Sequence, residues 1–123
     1  MPTENLNIVA IVDDDGDVRD VLDALLESAG HTVKTYTSGK QFLDDPEMSE
    51  VACLVVDQKM PGMSGIDLLR ALDRGGHTIP SLLVTGLPDA TVTAEARKLG
   101  AIDVLSKPIG VERLLQLVAY AVQ

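Results

Sequence analysis

The sequence predicts an α/β domain in which a parallel sheet is covered by helices on both faces. Five strand-like runs, most of them apolar and one a short run of β-formers, alternate with helical stretches marked by apolar stripes or by N-cap residues. The runs ending at Val12 and Asp57 are apolar rather than alternating, as expected of strands buried on both sides. The connections are short, so each strand joins the next parallel one through a right-handed helical crossover.

The chain of 123 residues has the size of one domain, 1–123, with enough length for one core. Its hydrophobic fraction of 46 % argues against disorder, and an aromatic fraction of 2 % makes that core aliphatic. A net charge of −9 argues against direct nucleic-acid binding, which needs clustered Lys and Arg. Residues 1–5 carry neither a basic nor an apolar leader pattern, and no run approaches the length of a membrane span, so the expected location is cytoplasmic, with no membrane contact. The lone Cys53 has no partner for a disulfide and reads as a small buried hydrophobe, while His31 and His77 read as turn or surface residues.

The first strand, residues 6–12, runs into the acidic turn Asp13-Asp14-Asp15-Gly16-Asp17. Val18, Val21, Leu22, Leu25 and Leu26 then form one helical stripe that ends at Gly30. A second strand, 32–36, precedes a brief helix to Leu43 that Ser38 and Gln41 have the spacing to cap. The third strand, 51–57, ends at Asp57 and gives way to the Pro/Gly-rich turn before Ser64. Ser64 and Asp67 have capping-box spacing, and Ile66, Leu68, Leu69 and Leu72 supply the buried face of the helix that Gly75-Gly76 closes. A fourth strand, 80–85, is followed by Asp89 as N-cap of a helix to Leu99. The fifth strand, 101–105, leads through Ser106-Lys107-Pro108 to a last stripe of Val111, Leu114, Leu115, Val118 and Val122.

Parallel strands end on the same side of a sheet, so Asp13, Asp14, Asp57, Thr85 and Lys107 converge at one corner. Three carboxylates held together repel unless a cation compensates. A divalent ion such as Mg²⁺, bound through carboxylates and water, resolves that conflict. A hydroxyl and an ammonium at the same corner suit an arriving phosphoryl group, and a carboxylate can itself be the nucleophile that receives it.

With those five positions in hand, the sequence closely resembles the receiver domain of two-component response regulators. The resemblance spans essentially the whole chain and rests on Val12-Asp13-Asp14-Asp15, Val56-Asp57-Gln58-Lys59-Met60-Pro61-Gly62-Met63-Ser64-Gly65, Val84-Thr85-Gly86 and Lys107-Pro108. The Met-Pro-Gly-Met-Ser-Gly turn is most similar to receivers of the nitrogen-fixation regulator type. The resemblance implies a flavodoxin-like (βα)5 sandwich with strand order 2-1-3-4-5. It implies that Asp57 accepts a phosphoryl group from a sensor histidine kinase or phosphotransfer protein, without the chain being an enzyme in its own right. It further implies that Asp14 and Asp57 bind Mg²⁺ directly, Asp13 through water and Lys59 through its backbone carbonyl. Thr85 and Lys107 would contact the phosphoryl group, and the Lys107-Pro108 peptide would be cis. Signalling would alter the face of the fourth helix, fifth strand and fifth helix, toward an output domain or partner protein. A homodimer through the last two helices is left open.

Two departures from the family pattern shape the expectations. Val104 occupies the position where most receivers carry an aromatic switch residue beside Thr85, so the output face must respond through backbone and loop shifts or respond weakly. Leu87, two residues past Thr85, cannot orient an attacking water, and Lys59 can shield the site, so a long-lived aspartyl phosphate is expected. An alternative reading is a phosphorylation-independent interaction module with a vestigial switch. Flavin carriage or aspartate-dependent phosphatase activity fits poorly. The first loop is acidic, no G-x-x-x-x-G-K occurs, and no second carboxylate follows Asp57 by two residues.

Overall fold

The structure, a computed structural model, describes residues 7–123. The expectations for residues 1–5, and the inclusion of Leu6 in the first strand, fall outside the described residues. The elements alternate as β1 (Ile8–Val12), α1 (Gly16–Ser28), β2 (Thr32–Tyr36), α2 (Gly39–Leu43), β3 (Cys53–Asp57), α3 (Gly65–Arg74), β4 (Ser81–Thr85), α4 (Ala90–Lys98), β5 (Ala101–Ser106) and α5 (Val111–Ala121). All pairings are parallel, in the order β2-β1-β3-β4-β5. Both the five-plus-five alternation and the strand order are as expected.

Side chains alternate across the sheet and divide the core in two. Ala10, Val12, Leu54, Val56 and Leu83 face α2, α3 and α4, where Phe42, Leu68, Leu69, Leu72 and Ala96 cover them. Val9, Ile11, Val55, Leu82 and Val84 face α1 and α5 and are covered by Leu22, Leu26, Leu114 and Val118. Each of the three central strands is therefore buried on both faces, which is why its sequence is a continuous apolar run. Cys53 lies in the second layer, and burial pushes its thiol up to about 12, leaving it an inert hydrophobe.

Local chemistry sets the helix starts. Asp15 caps α1 by accepting the Asp17 and Val18 amides, and Asp89 caps α4 by accepting the Val92 amide at 2.8 Å. The Ser64–Asp67 box forms in full, at 3.1 Å from Asp67 N to Ser64 Oγ and 3.0 Å from Ser64 N to Asp67 Oδ2. The Ser38–Gln41 pair forms only half of one. Ser38 Oγ accepts the Gln41 amide, but Gln41 Oε1 reaches one residue further back, to the Thr37 amide at 2.6 Å.

Strand ends differ from expectation by one or two residues: β1 begins after Asn7, β4 begins at Ser81 instead of residue 80, and β5 runs to Ser106 instead of 105. The third strand begins at Cys53 instead of residue 51, because a turn of 3₁₀ helix at Met48–Glu50 draws the Val51 amide to Met48 O. On α1 the stripe from Leu26 round to Val21 spans ~140° at a helical period of 3.6, too wide for one sheet contact. Leu22 and Leu26 are buried, whereas Val21 remains 59 % exposed. Together with Val111 of α5, 45 % exposed, it borders an apolar groove of about 350 Å³ between α1 and the β5–α5 connection.

Candidate functional site

Parallel register delivers the five residues named from sequence to one end of the sheet. Val12 pairs with Val56, so Asp13 stands beside Asp57; Asp57 pairs with Val84, so Thr85 lies one residue beyond on the next strand. Thr85 pairs in turn with Ser106, and the Lys107 amide donates to Thr85 O at 2.9 Å. Asp13, Asp57 and Thr85 are each at most 5 % exposed. Asp14 is exposed at the mouth.

One carboxylate oxygen from each of Asp13, Asp14 and Asp57 lies within 4.8 Å of the others. Lys107 Nζ donates to Asp57 Oδ1 at 2.8 Å. That hydrogen bond raises the Lys107 ammonium above its ordinary pKa, partial burial opposing it. Burial is also the main reason the Asp13 carboxyl is raised, and the charges of Asp57 and Asp14 push it the same way. Crowded carboxylates with one ammonium leave negative charge uncompensated. An all-oxygen donor set of that kind fits a hard dication such as Mg²⁺.

The turn before α1 is held independently of any ligand. Asp13 Oδ1 accepts the Asp15 amide at 2.9 Å, and Arg19 Nη1 donates to Asp13 O at 2.7 Å. Arg19 was not among the site residues expected from sequence, since nothing in a helix-borne Arg marks it as reaching back six residues. Thr85 Oγ1 accepts the Leu87 amide at 3.1 Å. The Lys107–Pro108 peptide is cis. Lys59 is exposed, directly after the neck of the β3–α3 turn.

The description "Response regulator receiver domain" belongs to the sequence family whose profile matches residues 9–119. The chain belongs to this family. It is a receiver domain of two-component systems. Response regulator protein TodT of Pseudomonas putida is 35 % identical over 121 residues, covering 98 % of this chain and 53 % of TodT. Transcriptional regulatory protein FixJ of Bradyrhizobium diazoefficiens is 37 % identical over 115 residues, covering 94 % of this chain and 56 % of FixJ. The receiver thus spans about half the length of the curated relatives it matches. Among solved structures, FixJ-N superposes with a TM-score of 0.83 at 35 % identity, over 94 % of this chain and 92 % of that one. Response regulator StyR gives 0.87 at 40 % identity, over 94 % and 59 %. No helix among the described residues is long and apolar enough to cross a membrane.

The face leading away from the receiver's acidic corner is strapped by an ionic cluster that sequence reading missed. Asp103 of β5 accepts from Arg97 of α4 at 3.1 Å through Oδ1 and from Arg113 of α5 at 2.8 Å through Oδ2, and Oδ1 also takes the Val104 amide at 2.8 Å. Partial burial pushes the Asp103 carboxyl up, but the Arg113 bond, the Val104 amide and the two guanidiniums outweigh it and hold it below the usual range. A carboxylate depressed in the folded state stabilises the fold above its unfolded pKa, near 4, and that contribution is lost as pH falls through the folded value. Melting temperature is accordingly expected to fall on acidification below about pH 4, and less steeply in Asp103→Asn. Identical acid limbs for the two proteins would contradict the strap.

Proposed function

We propose that this chain is the phosphoacceptor module of a two-component pathway, with Asp57 taking the phosphoryl group of a phosphohistidine carried by a sensor histidine kinase or phosphotransfer protein. The observation that carries this reading is the corner itself: three carboxylates mutually within 4.8 Å, one of them bonded to Lys107 at 2.8 Å. An Asp57 oxygen attacks phosphorus, an O–P bond forms as the P–N bond breaks, and the electron pair returns to the donor imidazole. Asp14, Asp57 and the Lys59 carbonyl would hold Mg²⁺, with Asp13 acting through water, and the ion would offset charge on the phosphoryl oxygens. Lys107, bonded to Asp57, supplies further positive charge. Thr85 turns its hydroxyl from the Leu87 amide toward the new phosphoryl oxygens. Domain-wide, the activity is phosphoryl acceptance followed by slow self-catalysed hydrolysis. Leu87, 82 % exposed and apolar, offers an attacking water no hydrogen bond, which favours a long-lived aspartyl phosphate.

Readout without an aromatic at position 104 falls to the α4, β5 and α5 face. Val104 packs partly buried against the α3–α4 side of the core, and its own amide is tied to Asp103. Movement of Thr85 is passed along β5 through Lys107, whose amide bonds Thr85 O, to the Asp103 strap. The protein that delivers the phosphoryl group seats on the apolar groove lined by Val18, Val21, Leu25, Pro108, Ile109 and Val111, because Lys107 borders both that groove and the acceptor pocket. Val21→Asp is expected to slow transfer from a histidine kinase that phosphorylates the unsubstituted chain by about tenfold or more. Uptake from a small phosphodonor should be unaffected, and equal loss from both donors would contradict the docking assignment.

Treatment with a small phosphodonor and Mg²⁺, followed by intact-mass measurement, tests the reading as a whole. A gain of one phosphoryl group that requires Mg²⁺ is expected. No gain would overturn phosphoacceptance and leave the phosphorylation-independent interaction module, which the valine at 104 favours.

A further inference from the structure

The loop that carries Lys59 away from Asp57 is closed at its neck by a single residue, Gln58. Its backbone carbonyl accepts the Gly65 amide at 3.0 Å, and its side-chain Oε1 accepts the Ile66 amide at 2.9 Å. With Ser64 Oγ taking the Asp67 amide, the first three amides of α3, which have no partner inside the helix, are all satisfied, two of them by Gln58. On its other side the Gln58 amide donates to Val84 O at 2.8 Å, tying the same residue to β4.

The neck is tight enough to exclude a side chain. A Cβ on Gly65 would sit 2.7 Å from Asp57 O, 2.5 Å from Leu83 Cδ1 and 3.1 Å from Gln58 Cα. Gly65 thus lets α3 begin against the end of β3, and Gln58 bolts the two together. Beyond the neck, Met60 is buried in the α2–α4 layer of the core. Lys59 lies between these two anchors, one residue from each.

We propose that Gln58 is a positioning residue for the cation pocket: its side-chain cap on α3 fixes the Lys59 carbonyl relative to the Asp57 carboxylate. The inference rests on the metal-dependent reading above and assigns Gln58 no contact with metal or phosphoryl group. A preformed loop costs less to order when the ion binds, so the cap appears as cation affinity. Affinity and capping are then linked reciprocally: what the cap adds to Mg²⁺ binding, Mg²⁺ adds to the cap.

Mg²⁺ titration followed by amide chemical shifts tests this on the whole chain, with thermal melting run in parallel. Gln58→Met keeps length and apolar bulk but removes the acceptor, and its Mg²⁺ affinity is expected to fall about fivefold, the size of a modest coupling between two sites. Gln58→Glu keeps an acceptor oxygen for the Ile66 amide and should restore at least the unsubstituted affinity. A merely structural cap would lower the melting temperature of Gln58→Met and leave its Mg²⁺ affinity unchanged, which would overturn the proposal. In the unsubstituted chain, saturating Mg²⁺ should slow hydrogen exchange at the Ile66 amide by about the same factor, a readout that holds even if Gln58→Met fails to fold. Exchange at Ile66 indifferent to Mg²⁺ would likewise overturn it. No Mg²⁺ response anywhere in the unsubstituted chain would instead sink the metal-dependent reading, and this inference with it.

Discussion

Asp57→Asn is expected to abolish phosphoryl uptake from a small phosphodonor while leaving the fold intact. The carboxamide keeps the shape of the side chain and loses the anionic oxygen that attacks phosphorus. It also removes one of the three carboxylates crowded within 4.8 Å, so Asp13 and Asp14 repel less in the variant. Against that relief stands the loss of the Lys107 partner, but the Lys107 side chain is 36 % exposed and water can take over its solvation. The two effects oppose each other, and net stability should change by no more than about 1 kcal/mol. Loss of uptake in a protein with an unchanged melting curve would therefore be chemical. Full uptake by the variant would move the acceptor elsewhere.

Lys107→Met carries the second-largest effect, an expected fall of about 10²–10³ in the initial rate of phosphorylation at saturating Mg²⁺. The ammonium is held at 2.8 Å from Asp57 Oδ1, at the rim of a pocket whose inner groups are nearly dry, where a fixed positive charge counts for more than it does in water. Lys107→Arg should recover only part of the rate, since the planar guanidinium cannot place its charge where the compact ammonium sits. A rate for Lys107→Met within a factor of about three of the unsubstituted chain would show that charge at this position is dispensable.

The fold was legible because the three central strands are buried on both sides. Continuous runs such as 53–57 and 81–85 leave no choice of face, and the turn chemistry at Asp15, Ser64 and Asp89 marks helix starts one residue at a time. The five residues at the acidic corner were legible for a related reason: a parallel sheet carries every strand end to the same side, so chain order alone brings them together. Contacts that depend on register between distant elements were not legible. Asp103 reaches Arg97 and Arg113 because Ala101 pairs with Ser81 and Asp103 with Leu82, which leaves Ile102 as an extra residue in β5. No local pattern announces that irregularity. The ion pair of Arg70 on α3 with Glu95 on α4 is equally remote in sequence. Gln58 escaped notice for the opposite reason: it adjoins the most informative residue in the chain, and its cap is set by a glycine seven positions later.

On the proposed reading, position 104 separates chemistry from readout. The five residues expected from sequence stand together around Asp57, whereas beyond Thr85 the position expected to carry a ring is a half-buried valine whose amide is held by Asp103. Phosphorylation is therefore expected to reach α4 and α5 through backbone shifts along β5 and through the Asp103 strap, not by the swing of a side chain.

Mapping the phosphoryl group to a residue tests the central claim most directly. The chain would be phosphorylated with a small donor and Mg²⁺, the acyl phosphate trapped by reduction, and the modified peptide sequenced by mass spectrometry. Modification at Asp57, and there alone, is the predicted result. Modification at Asp13 or Asp14, on a hydroxyl, or at no residue under conditions where Mg²⁺ binds would contradict the account.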